Sequence, residues 1–465
     1  MKLVKTIAAT AIGVALLTGC NDETNVYPPE VEPTPTNVRF AAFNLSFDRN
    51  NYEDLVAEMR IKPAEQQVYM DKWFDGTLTE EELAVAKKII QIRNVAGIIQ
   101  TERPAVLQMG EFNNEGLGED FEAIQGFRLN YLSVPQKANG ATSDGDIMLE
   151  PINFSYFENF ATNTGLLSDF DLDRNGEIAL PGDAWGFGFY HGQYAFGLLS
   201  QYPIDKDNIR TFQNFKWKDM PGETNPTIVN CDRDDIPEGM ACGDEWYTAE
   251  AWAEKPMSSK NHVDVPVIIP TEEGNKTVHL LMSHPTPPIF DTLTENNKML
   301  NRAEIKFWND YISGNGGYIY DDNGGKGGIV NNASFVIMGD LNADPVSGDG
   351  FLDTIKDLMN SQHVNYDATF GIHAPKSIGG PECLSNGECR ESNWSTPYPD
   401  MITSVSGLRL DHVIPSVDLK VIDSGVYWPA SFEDGRLFIN DERVGGGTSK
   451  DLSSDHRLLW VEVAL

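Results

Sequence analysis

The sequence predicts an α/β fold in which two β-sheets pack as a sandwich, with a few helices interspersed. Three observations carry this. Short apolar runs recur through most of the chain, each followed by a polar loop rich in Gly, Asn and Asp. Helical patterns are few and lie between the strands rather than in a block of their own. Candidate site residues extend from Asn44 to His456, so one interrupted domain over residues 38–465 accounts for the chain better than several domains would. With 40% hydrophobic residues among 465 there is ample material for a large core, and no internal repeat is visible.

Residues 1–19 read as an address. Lys2 and Lys5 open the stretch, an apolar run extends from Ile7 to Leu17, and Leu17-Thr18-Gly19-Cys20 ends it. The run is too short for a permanent transmembrane helix. It resembles a bacterial lipoprotein signal peptide, which would make Cys20 the lipidated first residue of the mature chain. The protein is therefore expected to leave the cytoplasm and to sit on a membrane through an N-terminal lipid. Asn21, rather than Asp, behind the cysteine favours the outer membrane or cell surface. No other stretch is long and apolar enough to cross a bilayer.

Residues 20–37 are polar and Pro-rich, as in an extended tether. Residues 38–45 then alternate as a strand does. A helix is expected over residues 79–100, with Thr79 as its cap and Glu81 and Glu82 in the first turn. Further strands are expected at 105–108, 194–200, 263–269, 277–283, 334–339, 408–415 and 458–463. Residues 301–313 (NRAEIKFWNDYIS) have the period of an amphipathic helix. Residues 314–332 and 371–399 read as surface insertions.

Setting Cys20 aside, the cysteines fall into two local couples, Cys231 with Cys242 and Cys383 with Cys389. Neither couple has zinc-site spacing or nearby histidines. In an oxidising compartment two loop-clipping disulfides are the economical reading. The charge balance is strongly acidic, 70 Asp and Glu against 35 Lys and Arg for a net −35. That excludes a general nucleic-acid coat, whose affinity rests on neutralising phosphates with basic side chains. It suits a secreted protein and does not exclude a local metal-lined cleft.

The chemistry-bearing residues sit where strands end, on loops that a rigid sheet holds in place. Asn44 closes the first strand and Glu111 follows the second in LQMGEFNN. His284 follows a third in SHPTPP, and Asp340 and Asn342 follow a fourth in GDLNADP. Asp411 lies in RLDH, and Asp455 and His456 precede the last strand in SSDH. Carboxylates with an Asn amide give the oxygen-rich surroundings that Mg²⁺ or Mn²⁺ prefers. Histidines add proton transfer near neutral pH. Such a set suits attack of water on a phosphoester.

The ordered motifs FN, LQ-x-x-E, SHP, GDLN, RLDH and SDH resemble those of the endonuclease/exonuclease/phosphatase superfamily over residues 38–465. EFNN and SHPTPP are most similar to a bacterial secreted branch. The resemblance implies a four-layer α-β-β-α, DNase-like sandwich and a metal-dependent phosphoester hydrolase. Carried over, Glu111 is the main metal ligand, with Asn44 and Asp455 near the same ion. Asp340 and Asn342 orient the nucleophile and phosphate, His456 is the catalytic histidine oriented by Asp411, and His284 is a second phosphate-contacting group. The chain departs from the pattern at Ser46, where some members have an acid; Asp48 lies close by. His412 fills a position that is often aromatic.

A separate signal is Asp171, Asp173, Asn175 and Glu177, oxygen-bearing residues at alternate positions around Gly176, with Asp183 further on. This pattern is that of a structural Ca²⁺ loop, although Gly182 stands where the closing acid belongs. The segment ending in LLSQYPI resembles the family strand beside the active site, which makes His191 and Gln193 candidates to face substrate. His262, in SSKNHVDVPV, is a third. The expected function is an extracytoplasmic phosphodiesterase, a nuclease or a related diesterase, acting as a monomer. A phosphomonoesterase or lipid phosphodiesterase using the same site is the alternative. An inactive surface-binding lipoprotein is the reading from another class, and the presence of Glu111, Asp340, Asn342 and His456 argues against it.

Overall fold

In a computed structural model, residues 36–330, 332–389, 396–447 and 449–465 are described. The expected leader, Cys20 and the tether up to residue 35 lie outside the described residues. The strands in chain order are β1 (Asn37–Phe47), β2 (Val106–Phe112), β3 (Tyr156–Asn159), β4 (Gly197–Ser200), β5 (Arg210–Thr211) and β6 (His262–Thr271). They continue with β7 (Gly274–Ser283), β8 (Ser334–Asp340), β9 (Asp411–Pro415), β10 (Lys420–Val426) and β11 (Leu459–Ala464). They form a six-stranded sheet of order β10-β11-β1-β2-β4-β3 and a five-stranded sheet of order β5-β6-β7-β8-β9.

Each sheet contains one parallel pair, β1 with β2 and β7 with β8. Parallel neighbours need a crossover, and helices supply it in both cases. Three helices, α1 (Tyr52–Arg60), α2 (Pro63–Asp75) and α3 (Glu80–Glu102), link β1 to β2, and the helix Asn296–Ile312 precedes β8. Local sequence explains their ends. Pro63 occupies the first turn of α2, and Gly76 closes it with φ 65°. Thr79 caps α3 by accepting from the Glu82 backbone N–H at 3.3 Å, while Glu82 accepts from the Thr79 N–H at 3.0 Å.

Alternation along the strands sorts side chains into layers. In β8, Val336 and Met338 join a core shared with Phe40 and Ala42 of β1, whereas Phe335 and Ile337 pack with Phe307, Trp308 and Tyr311 of the Asn296–Ile312 helix. In β1, Arg39 reaches the other way, donating to the Glu102 carbonyl at the end of α3. The order is thus helices, sheet, sheet, helix, the four-layer sandwich expected. Parity carries Asn44, two residues beyond Ala42, and Asp340, two beyond Met338, onto the faces that meet between the sheets.

Most expected elements form, with shifted ends. The strands expected at 194–200 and 408–415 begin only at Gly197 and Asp411. The segment 371–399 contains a short helix, Gly379–Asn386. Helices α1 and α2, and strands β3 and β10, were not among the expected elements. Cys231–Cys242 and Cys383–Cys389 are paired, with Cα separations of 5.3 and 5.2 Å. No helix among the described residues is long and apolar enough to cross a membrane.

Because Thr79 caps the longest helix through reciprocal bonds, Thr79→Ala is expected to destabilise the fold by about 1 kcal/mol. Thr79→Ser should recover most of the loss. Urea unfolding followed by far-UV circular dichroism measures both, and an unchanged midpoint for the alanine variant would remove the cap from the account.

Candidate active site

The two sheets meet through Asn44. Its amide nitrogen donates to Glu111 Oε1 at 3.2 Å and, across the sheets, to Asp340 Oδ2 at 3.1 Å. Its amide oxygen takes the Ser46 N–H at 3.1 Å. Register pairs Phe43 with Met109, on the helix side of the sheet, so strict alternation would point Glu111 that way too. Instead the β1–β2 register shifts beyond Asn44, and Glu111 adopts φ 49°. A bulge of this kind re-aims a side chain, here toward Asn44.

Asp340 anchors a second group of contacts. Its Oδ1 accepts the Asn342 N–H at 2.9 Å, while Asn342 itself has φ 50° and donates its side-chain amide to the Pro285 carbonyl at 3.0 Å. Asp340 Oδ2 lies 3.4 Å from His284 Nε2 and 3.7 Å from His456 Nε2. His456 turns its Nδ1 to Asp411 Oδ2 at 2.8 Å, and Thr403 donates to that same carboxylate oxygen at 2.7 Å. Asp455 receives the Ser46 hydroxyl at 2.8 Å. The structure thus brings together Asn44, Glu111, His284, Asp340, Asn342, Asp411, Asp455 and His456.

Electrostatics follow from burial and crowding. Desolvation, then repulsion from Asp48 and Asp455, pushes Glu111 up to about 7. Desolvation likewise pushes Asp340 up to about 6, with His456 pulling the other way. Burial alone would lower His456, but Asp411 and Asp340 outweigh it and hold the imidazole well above the ordinary histidine value. His284 goes the opposite way: burial, Lys260 and His456 hold it well below, and its Nδ1 has no partner among the described residues. Two histidines with opposed charge states therefore face one carboxylate.

Other expected positions fall elsewhere. His262 is wholly buried, with Nδ1 2.8 Å from Ser258 Oγ and Nε2 3.0 Å from the Glu304 carbonyl, and burial pushes it down to about 3. It packs against Phe307 and Trp308, so the expectation that it faces substrate is corrected. His191 bonds the Thr162 carbonyl at 2.8 Å, and Gln193 accepts the Phe189 N–H at 2.8 Å. Both tie loop segments together and neither lines the cleft described below. His412 is a core residue bonded to the Ala343 carbonyl at 2.8 Å. Asp48 pairs with Lys450 at 3.0 Å. Asp171, Asp173 and Asp183 converge, each offering an oxygen within 4.8 Å of the others. The third carboxylate comes from Asp183, one residue past Gly182, and it already accepts the Leu172 and Ala179 N–H groups. Asn175 accepts the Glu177 N–H at 2.8 Å within the same loop.

The model of the endonuclease/exonuclease/phosphatase family matches residues 83–456, most of the chain. The chain belongs to that family. Solved structures to which it is similar include the family member from Beutenbergia cavernae, at 12% identity over 92% of this chain and 72% of that one, with a TM-score of 0.40. The family protein from Leptotrichia buccalis is 10% identical over 92% of this chain and 99% of its own, with a TM-score of 0.39. The human Nocturnin catalytic domain with bound sulfate anion is 12% identical over 94% and 99%, with a TM-score of 0.37. No curated protein matches the sequence.

Family members are phosphoesterases and nucleases that generally use divalent metals, and the donor set here suits such an ion. Glu111 forms no ion pair with Lys or Arg among the described residues, and Asp48 and Asp455 raise it while His456 offsets them only in part, so a divalent cation would relieve the remaining repulsion. Asp340, Asp411 and His456 also converge within 4.8 Å. There, however, the imidazole N–H is already committed to Asp411, which marks that group as a proton-handling pair. Sequence reasoning missed four residues of the site: Ser46, Thr403, Tyr194 and Lys260. Ser46 stands where an acid was looked for, and its hydroxyl holds Asp455 instead. Tyr194 and Lys260 line the cleft with Glu111 and His284, and no motif announces them.

An acid raised by the fold opposes stability while ionised. The penalty is full above about 7 and vanishes below 4.5, where folded and unfolded chains are both protonated. Glu111→Gln should therefore stabilise the EDTA-treated protein by about 1 kcal/mol at pH 8 and by less near pH 5. Urea melts at the two pH values measure this. An equal loss of stability at both would show that Glu111 is not strained electrostatically.

Proposed function

We propose that the protein is an extracytoplasmic phosphodiesterase, anchored by a lipid on Cys20 and acting as a monomer with Mg²⁺ or Mn²⁺ near Glu111, Asp455 and Asn44. The observation that carries the reading is the Asp411–His456–Asp340 chain ending beside Glu111, with bonded or facing distances of 2.8 and 3.7 Å. The metal, when bound, would draw charge from a phosphoryl oxygen and lower the barrier to attack.

The side chains divide the remaining work. Asp340, raised to about 6, is suited to accept the proton of the attacking water near neutral pH. His456, kept protonated by Asp411, supplies positive charge against the phosphoryl oxygens and a proton for the departing alkoxide. His284, kept neutral, can donate through Nε2 without adding charge. Water's oxygen bonds phosphorus, the bond to the leaving alcohol breaks, and the proton taken by Asp340 balances the one given by His456.

A diester has two substituents to house, and the site has two hollows. A cleft of about 690 Å³ contains Glu111 and His284, and a groove of about 360 Å³ contains Asn342, with Pro287 lining both. That arrangement favours a diesterase over a monoesterase. The cleft carries two lysines rather than a basic stripe, which favours a small diester over long nucleic acid. The paired cysteines and the lipoprotein-like leader support an oxidising, extracytoplasmic location. A structural Ca²⁺ at Asp171, Asp173 and Asp183 belongs to the same proposal, and added Ca²⁺ should raise the melting temperature of the native chain but not of Asp171→Ala.

Hydrolysis of bis-p-nitrophenyl phosphate, p-nitrophenyl phosphate and plasmid DNA, with Mg²⁺, Mn²⁺ or EDTA, tests the main reading. The first should be cleaved fastest, EDTA should abolish turnover, and Asp340→Ala or His456→Ala should each lower kcat by about 10²–10⁴. Preference for the monoester would favour a phosphatase. Absence of turnover on all three, with both variants folded, would count against the enzyme.

A further inference from the structure

Lys255 and Lys260 line the same cleft yet are only 3% and 5% exposed. Neither forms an ion pair among the described residues. The Lys255 ammonium makes one long contact, 3.5 Å to the Trp185 carbonyl, and lies 4.9 Å from the Tyr247 ring and 5.8 Å from the Trp185 ring. Among the described residues the Lys260 ammonium has no hydrogen-bond partner. A buried ammonium without a carboxylate partner is costly, and ring faces return only part of its lost hydration. Burial accordingly pushes Lys255 down to about 8 and lowers Lys260, with Glu304 pulling each the other way.

The two lysines sense different surroundings. Lys260 lines the cleft with Glu111 and His284, and Glu111 and Asp340 both act on its charge. Lys255 feels neither and is faced by aromatic walls. Of the acids that share the cleft, Asp291 is engaged by the Asn297 and Lys298 N–H groups at the start of the Asn296–Ile312 helix. Asp173 is held in the acidic loop by Asn175. Trp185, Trp246, Tyr247 and Phe187 add flat apolar surface along the same wall.

We propose that Lys255 is the floor of a second anion subsite, so that the preferred substrate is a small nucleotide-like phosphoester carrying a second phosphate away from the scissile one, with a planar ring against the aromatic wall. This rests on the phosphodiesterase reading for the scissile end only. The second phosphate supplies the direct ion-pair partner that Lys255 lacks among the described residues, and the ring occupies the apolar surface of the aromatic wall.

The test compares binding of adenosine 5′-monophosphate and adenosine 3′,5′-bisphosphate to the full chain by calorimetry in EDTA, so that turnover plays no part. The bisphosphate should bind about 10-fold more tightly to the native protein. In Lys255→Met that advantage should fall below about 2-fold, in Lys255→Arg it should persist in part, and monophosphate affinity should stay within about 2-fold throughout. Removing an unpaired buried charge should leave Lys255→Met at least as stable as the native chain, which a thermal melt confirms. Equal affinity for the two nucleotides, no detectable binding of either, or an advantage unchanged in Lys255→Met would overturn the subsite. The advantage without hydrolysis of any diester would keep the subsite and remove the diesterase. Hydrolysis without the advantage would do the reverse.

Discussion

One hydrogen bond, from the Asn44 amide to Asp340 Oδ2 at 3.1 Å, joins the end of β8 to the last residue of β1 paired with β2 before their register shifts, and so spans the two sheets. The sandwich brings these residues together only because the pleat of each strand has kept its parity as far as Asn44 and Asp340. A slip of one residue in either strand would turn one side chain to its helix and leave the other without a partner. The fully buried Phe40, Ala42, Val336 and Met338 fix that register, since a slip would also carry them out of the shared core. Packing between the sheets and the geometry of the site are therefore one constraint seen at two points along the same strands.

Around that bond the backbone is held in conformations most residues avoid. Ser46, Glu111, Asn342 and Tyr194 all have positive φ, between 49° and 60°, and all surround the site. Each such residue costs on the order of 1 kcal/mol or more and persists only where the surrounding structure fixes it. Here the fixing groups are visible. The Ser46 N–H is taken by Asn44 and its hydroxyl by Asp455, the Asn342 N–H is taken by Asp340, and the Tyr194 N–H by Asn113. The strain is local and its result is direction: a side chain that strict alternation would send to the helices faces the other sheet.

This also marks what the sequence could and could not reveal. Asp340, Asn342, Asp411 and His456 lie at the ends of apolar runs, where the motif and the strand period coincide, and both were readable. The presence of Glu111 was readable from its motif, but its orientation depends on a φ that a glutamate rarely adopts. Helix α2 was missed because the polar stretch after Pro63 buries only Gln66 and Met70 and carries no strong apolar period, whereas α1 does carry one, in Tyr52, Leu55, Val56 and Met59, and could have been read. His262 misled for a different reason. It stands just before the strand expected at 263–269, where a site residue could sit, whereas the Asn296–Ile312 helix covers the start of β6 and leaves the imidazole between Ser258 and Glu304. Lys255 and Lys260 had no signal at all, since burial of a lysine is a property of the assembled cleft.

The cleft is unusual in holding unneutralised charge of both signs. At Glu111 the repulsion from Asp48 and Asp455 is offset only in part by His456, and among the described residues neither Lys255 nor Lys260 forms an ion pair, Glu304 acting on both from beyond ion-pair distance, although the chain as a whole is strongly acidic. Flexible side chains in such proximity would pair with one another. The positive φ at Glu111, the aromatic walls around Lys255 and the burial of Lys260 keep them apart. A divalent cation alone would satisfy Glu111 but leave both lysines uncompensated, and an anion alone would satisfy the lysines but add to the repulsion at Glu111 and Asp340. Only a ligand set with both signs, a cation together with a phosphoester, relieves every group at once. The same desolvation that makes the empty cleft costly thus sets its selectivity.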